Sequence, residues 1–400
     1  MSRSEPRSVA DALAGALAPL FGDDVAVEGI QRLSGGASRE TWAFCAGAPG
    51  GPVQDLVLRR DPPGRPGPPG AMAREASVLR AAARAGLSVP EVLVDDDGTQ
   101  LGTAGMVMAR VPGETIPRRI LRDDECAAAR SVLAGQIGRF LAGLHALDPA
   151  TVPGLEPEDA LATYWAAYEQ VDDVSPTFVA AQRWLEANRP PPPPEPVIVH
   201  GDLRLGNLIV GPEGLRAVID WELVHLGDPV EDLAWVCVKA WRFGAPLPVA
   251  GVGTIDTLIE AYEGAGGRPV DRDRFHWWLV QKTLQWGIIC MGQAAAHLSG
   301  ALRSVELATI GRRVAEQEAD LLELLAPSAW QAAGAAVPEG ADAEPAGPSP
   351  GLHGRPTAAE LVEAVREFLA DTVVAGTTGH IRYHARVAAN ALGKIGRAHV

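Results

Sequence analysis

The chain has 400 residues, which at roughly 150 residues per domain implies two or three domains. Its usage, 47% hydrophobic and 21% charged, is ordinary for a globular protein and excludes fibrous and wholly disordered chains. The 44 glycines and 33 prolines follow no triplet repeat, so a collagen-like chain is excluded too. The formal net charge of −15 argues against nucleic-acid binding, which needs a basic face, but leaves room for a local cationic pocket.

Lysine occurs only at Lys239, Lys282 and Lys394, so a functional cation in the first half of the chain must be an arginine. Cys45, Cys126, Cys237 and Cys290 have neither zinc-ligand nor redox spacing and read as reduced thiols of a cytoplasmic protein. The N-terminal stretch carries acids and lacks the apolar core of a signal peptide. Residues 283–302 are uncharged and long enough to span a membrane. Their glutamines, His297 and glycines mark a buried helix instead, so no membrane is expected as a partner.

In chain order, residues 1–24 suggest a short helix with a polar face. From 25 to 111 strand patterns dominate, with TWAFCA (41–46) and DLVLRR (55–60) flanking a glycine- and proline-rich turn. DPPGRPGPPG (61–70) is a loop, AMAREASVLRAAARAG (71–86) a helix stopped by Gly86 and Pro90, and EVLVD and TAGMVMARV two further strands. Residues 122–188 carry a helical stripe through Val132, Leu133, Ile137, Phe140, Leu141 and Leu144. A proline run at 190–196 forms a stiff connector, and GPEG (211–214) is a hairpin turn between short strands. Helices return from about 230 to 325. Residues 326–352, rich in Ala, Pro, Gly and Glu, read as a linker, and 356–393 as helix. The last six residues, IGRAHV, match the translation of a common sequencing adapter and read either as foreign, with the final helix cut short, or as an ordinary basic tail.

The chemistry concentrates in His200-Gly201-Asp202-Leu203-Arg204-Leu205-Gly206-Asn207 and Ile219-Asp220-Trp221-Glu222. Phosphoryl transfer needs a carboxylate for the acceptor proton, oxygens for magnesium, a cation for the phosphates and a loop over them. One loop can present Asp202 and Asn207, and the hairpin turning at GPEG returns Asp220 beside Asn207. That set suits a base plus two hard-oxygen metal ligands.

The string VHGDLRLGNLIV…AVIDWELVHLGDPVEDLAW resembles the aminoglycoside phosphotransferase and choline kinase family, relatives of protein kinases, over residues 25–325. The resemblance implies an α+β, bilobal protein-kinase-like fold. It has a small antiparallel-sheet N-lobe (1–110), a mainly helical catalytic and acceptor-binding C-lobe (111–325), a linker (326–352) and a helical accessory segment (353–400). It implies ATP, or GTP as an alternative donor, and Mg2+. Asp202 would be the catalytic base, with Asn207 and Asp220 as magnesium ligands. His200 matches a catalytic-loop histidine of structural role. Ser34-Gly35-Gly36-Ala37-Ser38 stands where the phosphate-covering loop belongs. Arg59 replaces the strand lysine of kinases, with Arg60 on the opposite strand face. Glu75 either pairs with Arg59 or is a solvated helix acid. Met108 and Arg110, in MARVPG, fall in the connector that meets adenine.

Asp228 and Asp232 suggest architecture: a helix cap and a brace for the catalytic loop. Glu222 is either supporting or a plain strand end. His145 reads as core, as do Trp241, Trp277, Trp278 and Trp286, which alternatively line a substrate pocket. LSGGASRETWAF, VLRRDPPG, REASVLRAA and the trailing helical segment are similar to phosphotransferases associated with acyl-CoA dehydrogenases. That similarity implies a hydroxyacyl-CoA as the small-molecule hydroxyl acceptor, with aminoglycosides or amino alcohols as the alternative. A nucleotide-binding pseudokinase that regulates a partner is the reading of another class, and the C-terminal segment is the candidate surface for a partner protein.

Overall fold

The structure is a computed structural model and describes residues 5–33, 39–335 and 355–398. The elements run α1 (Glu5–Phe21), β1 (Ala26–Arg32), β2 (Glu40–Gly47), β3 (Gln54–Arg60), α2 (Ala71–Arg84), β4 (Val92–Asp97), β5 (Ala104–Ala109), α3 (Pro117–Arg122), α4 (Ala127–His145), α5 (Ala160–Tyr168) and α6 (Pro176–Ala187). Then come β6 (Val197–Val199), β7 (Leu208–Gly211), β8 (Gly214–Val218), β9 (His225–Gly227), α7 (Pro229–Trp235), α8 (Ile255–Gly264), α9 (Arg272–Leu298), α10 (Val305–Gly311), α11 (Val314–Leu325) and α12 (Pro327–Ala335). After the undescribed stretch come α13 (Ala358–Glu367), α14 (Val374–Gly376) and α15 (Gly379–Ala398). Two compact units result: residues 1–158 with 191–275, and residues 159–190 with 276–400.

The first unit holds an antiparallel five-stranded sheet in the order β1-β2-β3-β5-β4. Strand alternation sends Leu56 and Leu58 to one face, where they join Trp42, Phe44 and Val107 in a core closed by Val9, Leu13 and Leu17 of α1. The same alternation leaves Val57 and Arg59 on the opposite face. Arg60, on the core side, is neutralised by Glu40 of β2, its cross-strand register partner, at 3.1 Å.

Below the sheet, α4 packs on α8, β8 and β6. Gly138 permits the α4–α8 approach, since a Cβ there would lie 2.5 Å from the Leu258 carbonyl oxygen. Gln136 on α4 holds the β7–β8 turn: its Oε1 accepts from Leu215 N–H (2.8 Å) and its Nε2 donates to the Glu213 carbonyl (3.1 Å). The hairpin is tied to the chain leaving β5 by a reciprocal backbone pair between Glu114 and Val210 at 2.9 and 3.0 Å.

The second unit is helical. Phe178 of α6 packs over Gly287 of α9, and Trp277 Nε1 donates to the Leu185 carbonyl at 2.9 Å. Trp277 and Trp278 meet edge-on with centroids 5.0 Å apart and are buried, as core tryptophans should be. The uncharged stretch at 283–302 lies mostly in α9, and among the described residues no helix is long and apolar enough to cross a membrane.

Two details differ from the sequence reading. The stretch read as a linker opens with helix α12, because PSAWQAAGA combines a proline at the first turn with alanines of high helix propensity. The rest of that stretch lies outside the described residues. Second, the C-terminal helical pattern contains a π-helical turn at Phe368–Val373 between α13 and α14.

Candidate functional site

β6 delivers the chain into the loop that carries Asp202. Gly201 has φ +82°, and a Cβ there would sit 2.5 Å from the Leu223 carbonyl oxygen, so both conformation and space require glycine. The loop is anchored from below by Asp232 of α7, which is fully buried and accepts the backbone N–H groups of His200 (2.8 Å) and Gly201 (3.0 Å). Burial works against the Asp232 charge. Hydrogen bonding from His145 at 3.3 Å, with the nearby histidines and the His200 amide, wins and holds its carboxyl below the ordinary range. Asp228 caps α7 by accepting from Val230 N–H at 3.0 Å. Both aspartates are thus architectural, as the sequence suggested.

His200 is a strut. Its Nδ1 accepts from Asp202 N–H (3.1 Å), so Nε2 carries the proton and donates to the Ile219 carbonyl (3.2 Å). The ring packs on Trp221 at 4.5 Å, and burial keeps it neutral by pushing its pKa down. The Asp202 loop and the chain entering Asp220 are thereby joined.

Three candidate residues converge. Asn207 Nδ2 donates to Asp202 Oδ2 (2.7 Å) and to the Asp202 backbone carbonyl (2.8 Å). Ile219 N–H donates to the Asn207 carbonyl at 2.9 Å, which brings Asp220 alongside. Asp220 has φ +72°, a left-handed conformation that Asp tolerates better than most residues. Burial and the Asp220 charge raise the Asp202 pKa, against the opposing Arg204. Burial also opposes ionisation of Asp220, but Arg59 outweighs it and lowers that pKa. The amide donor of Asn207 is committed to Asp202, leaving its side-chain oxygen and the Asp220 carboxylate as hard donors suited to magnesium. Among the described residues there is no cluster of three His, Cys, Asp or Glu placed to hold a metal, so a cation here would take its other ligands from phosphate and water.

Arg59 lies where a nucleotide cation is expected, but its pairing is redistributed. Its Nη2 donates to Asp220 Oδ1 at 2.5 Å and reaches Glu222 Oε2 at 3.4 Å, while its Nε stands 3.9 Å from Glu75 Oε2. Glu75 is buried on α2, not a solvated acid, and its closer partner is Arg39, at 2.9 Å. Arg39 also pairs with Asp61 at 3.2 Å. Arg59 Nε and Glu75 Oε2 are both buried with no hydrogen bond among the described residues, which leaves polar capacity at this spot for a phosphate oxygen or water. Burial raises the Glu75 pKa in spite of both arginines.

Met108 lies in β5, one residue before its end, and is buried between Val57 and Val92 in the sheet register. The Arg110 N–H is bonded to the Asp55 carbonyl at 2.9 Å, so that amide belongs to the sheet and is not offered to a base. The loop Ser34, Gly35, Gly36, Ala37 and Ser38 lies outside the described residues.

Sequence reasoning missed Arg39, Trp235 and Arg204. Trp235 Nε1 donates to Asp202 Oδ1 at 2.9 Å. Arg204 Nε donates to the two Asp202 oxygens at 3.0 and 3.2 Å. The signal for both lay in the recognised string, since each flanks a residue already singled out.

Comparison with known proteins comes to the same place. A family model described as the phosphotransferase enzyme family matches residues 29–278. Acyl-CoA dehydrogenase family member 11 of Gallus gallus is 30% identical over 334 residues, covering 76% of this chain and 41% of that protein. The chain therefore spans less than half the length of that relative. Among solved structures, a Ralstonia eutropha JMP134 protein assigned as an aminoglycoside phosphotransferase aligns with TM-score 0.61 at 23% identity, over 78% of this chain and 97% of that one. The aminoglycoside phosphotransferase APH(4)-Ia, solved with AMP-PNP and hygromycin B, aligns with TM-score 0.53 at 17% identity, over 82% of this chain and 99% of that one. These likenesses bear out the protein-kinase-like fold.

Proposed function

Because the chain belongs to the phosphotransferase enzyme family, we propose that it moves the γ-phosphoryl group of ATP, with magnesium, onto the hydroxyl of a small molecule, and that this acceptor is a hydroxyacyl-CoA. GTP is the alternative donor. The observation that carries the reading is the convergence of Asp202, Asn207 and Asp220: Asn207 is bonded to Asp202, and Ile219, the residue before Asp220, is bonded to the Asn207 backbone. In this reading the acceptor oxygen attacks the γ-phosphorus, the bond to the ADP oxygen breaks, and the hydroxyl proton passes to Asp202. Asn207 and Trp235 fix the Asp202 carboxylate before substrate arrives, and burial raises its proton affinity toward what a general base needs. Asn207 and Asp220 would hold magnesium, which when bound neutralises charge on the phosphate oxygens. Arg59, backed by Glu75, would balance the phosphates. The 34–38 loop would cover them, and of the 108–113 connector the part beyond Arg110 would face the adenine.

We assign nucleotide covering to residues 1–110 and catalysis and acceptor binding to residues 111–325. The helices from 358 onward, with Phe368, Ile381, Tyr383 and Val387 exposed, are the part we assign to a partner protein. Support for the acyl-CoA acceptor comes from the acyl-CoA dehydrogenase relative, since the aminoglycoside-binding neighbour shares only the fold.

The test is transfer from labelled ATP to hydroxyacyl-CoAs, aminoglycosides and amino alcohols, with wild type beside Asp202→Asn. Transfer to hydroxyacyl-CoA should fall about 10²- to 10⁴-fold in the variant, the usual worth of a general base, with nucleotide affinity retained. A variant with undiminished transfer would remove Asp202 from the reaction. Transfer to aminoglycosides alone would replace the acceptor.

A further inference from the structure

One cation beside the base has no task in the reading above. Arg204 spends its Nε on Asp202, and among the described residues its two terminal nitrogens donate to nothing. Its guanidinium carbon stands 5.1 Å from the ring centroid of Trp241, and Trp241 packs against Trp235 with centroids 5.2 Å apart. The same pair of indoles therefore fixes both the base, through Trp235 Nε1, and the cation. Gly206 keeps the space: a Cβ there would lie 2.7 Å from Arg204 Nη1. The side chain remains about a quarter exposed, at 28%. The result is a preset guanidinium with open donors within one hydrogen bond of the group that takes the acceptor proton.

We propose that Arg204 determines acceptor class. Its free donors bind an acyl oxygen or carboxylate carried next to the reacting hydroxyl, and its charge disfavours hydroxyls flanked by amines. The inference rests on the phosphotransferase reading and gives it a substrate chemistry: an oxygen-rich, electron-withdrawing neighbour on the acceptor, not an ammonium. A guanidinium suits this better than an ammonium would, because its planar fork can bind the acceptor while Nε stays on Asp202.

The experiment compares the full chain as wild type, Arg204→Gln and Arg204→Lys, with ATP and two acceptors, β-hydroxybutyryl-CoA and hygromycin B. The readout is the ratio of kcat/KM between acceptors, which a general loss of catalysis does not move. Wild type should favour β-hydroxybutyryl-CoA. Arg204→Gln should lower that ratio about tenfold or more through the KM of the acyl acceptor, as expected for losing a charge-assisted hydrogen bond, and Arg204→Lys should recover part of it. A wild-type preference for hygromycin B overturns the inference. So does an Arg204→Gln variant that loses both activities in equal proportion, which would place Arg204 on the phosphoryl group or in the loop's structure. Absence of wild-type transfer to either acceptor sinks the hydroxyacyl reading and this inference together, whereas an unchanged ratio sinks the inference alone.

Discussion

Removing the Asp232 carboxylate should cost a large share of the stability of the fold around the site. The side chain is fully buried and serves two amides of the Asp202 loop at 2.8 and 3.0 Å, besides His145 at 3.3 Å. A hydrogen bond to a charged group contributes about 1.5–3 kcal/mol. Asp232→Ala strands both amides and should lose about 3–6 kcal/mol, a large part of the roughly 5–15 kcal/mol that holds a typical domain. Asp232→Asn keeps one acceptor oxygen and should lose about half as much. Urea unfolding of both variants against wild type gives the two differences. The pH dependence has a definite sign. The folded pKa of Asp232 is depressed, so its contribution is complete above the unfolded carboxylate pKa of about 4 and drains away as pH falls through the folded value. The gap between wild type and Asp232→Ala should therefore narrow only below about pH 4. A loss under about 1 kcal/mol for Asp232→Ala, or equal losses for Ala and Asn, would refute the idea that the carboxylate suspends the loop by those two amides.

Two further outcomes follow from the electrostatics. If Asp202 is the base as proposed, the acid limb of kcat/KM should be shifted upward from that of a free aspartate, because burial, with the Asp220 charge, raises its pKa; a pH–rate profile flat down to about pH 4 would contradict this. Arg39→Met should destabilise by about 3–5 kcal/mol in thermal or urea unfolding, since it leaves Asp61 and Glu75 buried without their nearer cation, and a loss no larger than that of an exposed arginine would show the pairing to be idle.

How far the sequence could be read depended on the distance over which a residue finds its partner. Asp202, Asn207 and Asp220 are linked by a short loop and a hairpin whose turn is written in GPEG, so their meeting followed from local geometry. Glu75 was legible only as far as Arg59. Its nearer partner, Arg39, stands just ahead of β2, and only the β2–β3 register, with Glu40 opposite Arg60, brings it to Asp61 and α2. Trp235 reaches Asp202 across 33 residues because α7 starts at the Asp228 cap and runs back under the loop. β1 had no readable bounds: AVEGIQR offers almost no buried face, and its register with β2 is broken between Glu28 and Gln31. The π-helical turn at Phe368–Val373 shifts side-chain phase by one residue, which an apolar stripe absorbs without trace.

Four buried or half-buried acids stand around one loop, and neighbours alone divide their work. Asp232 meets backbone amides and a histidine, stays ionised and suspends the chain. Glu75 meets two arginines but is so enclosed that burial still raises its pKa, which suits an orienting partner better than a ligand. Asp220 meets Arg59, which favours its ionised form, as the proposed magnesium ligand requires. Asp202, like Glu75, has a raised pKa and a fixed orientation, here from Asn207, Trp235 and Arg204, but its side chain is 15% exposed where that of Glu75 is 2% exposed. Environments that push like groups apart in this way favour Asp202 for the part of proton acceptor in the proposed reaction. Exchanging Asp202 with any of the other three would supply the same functional group without the surroundings that the proposed base requires.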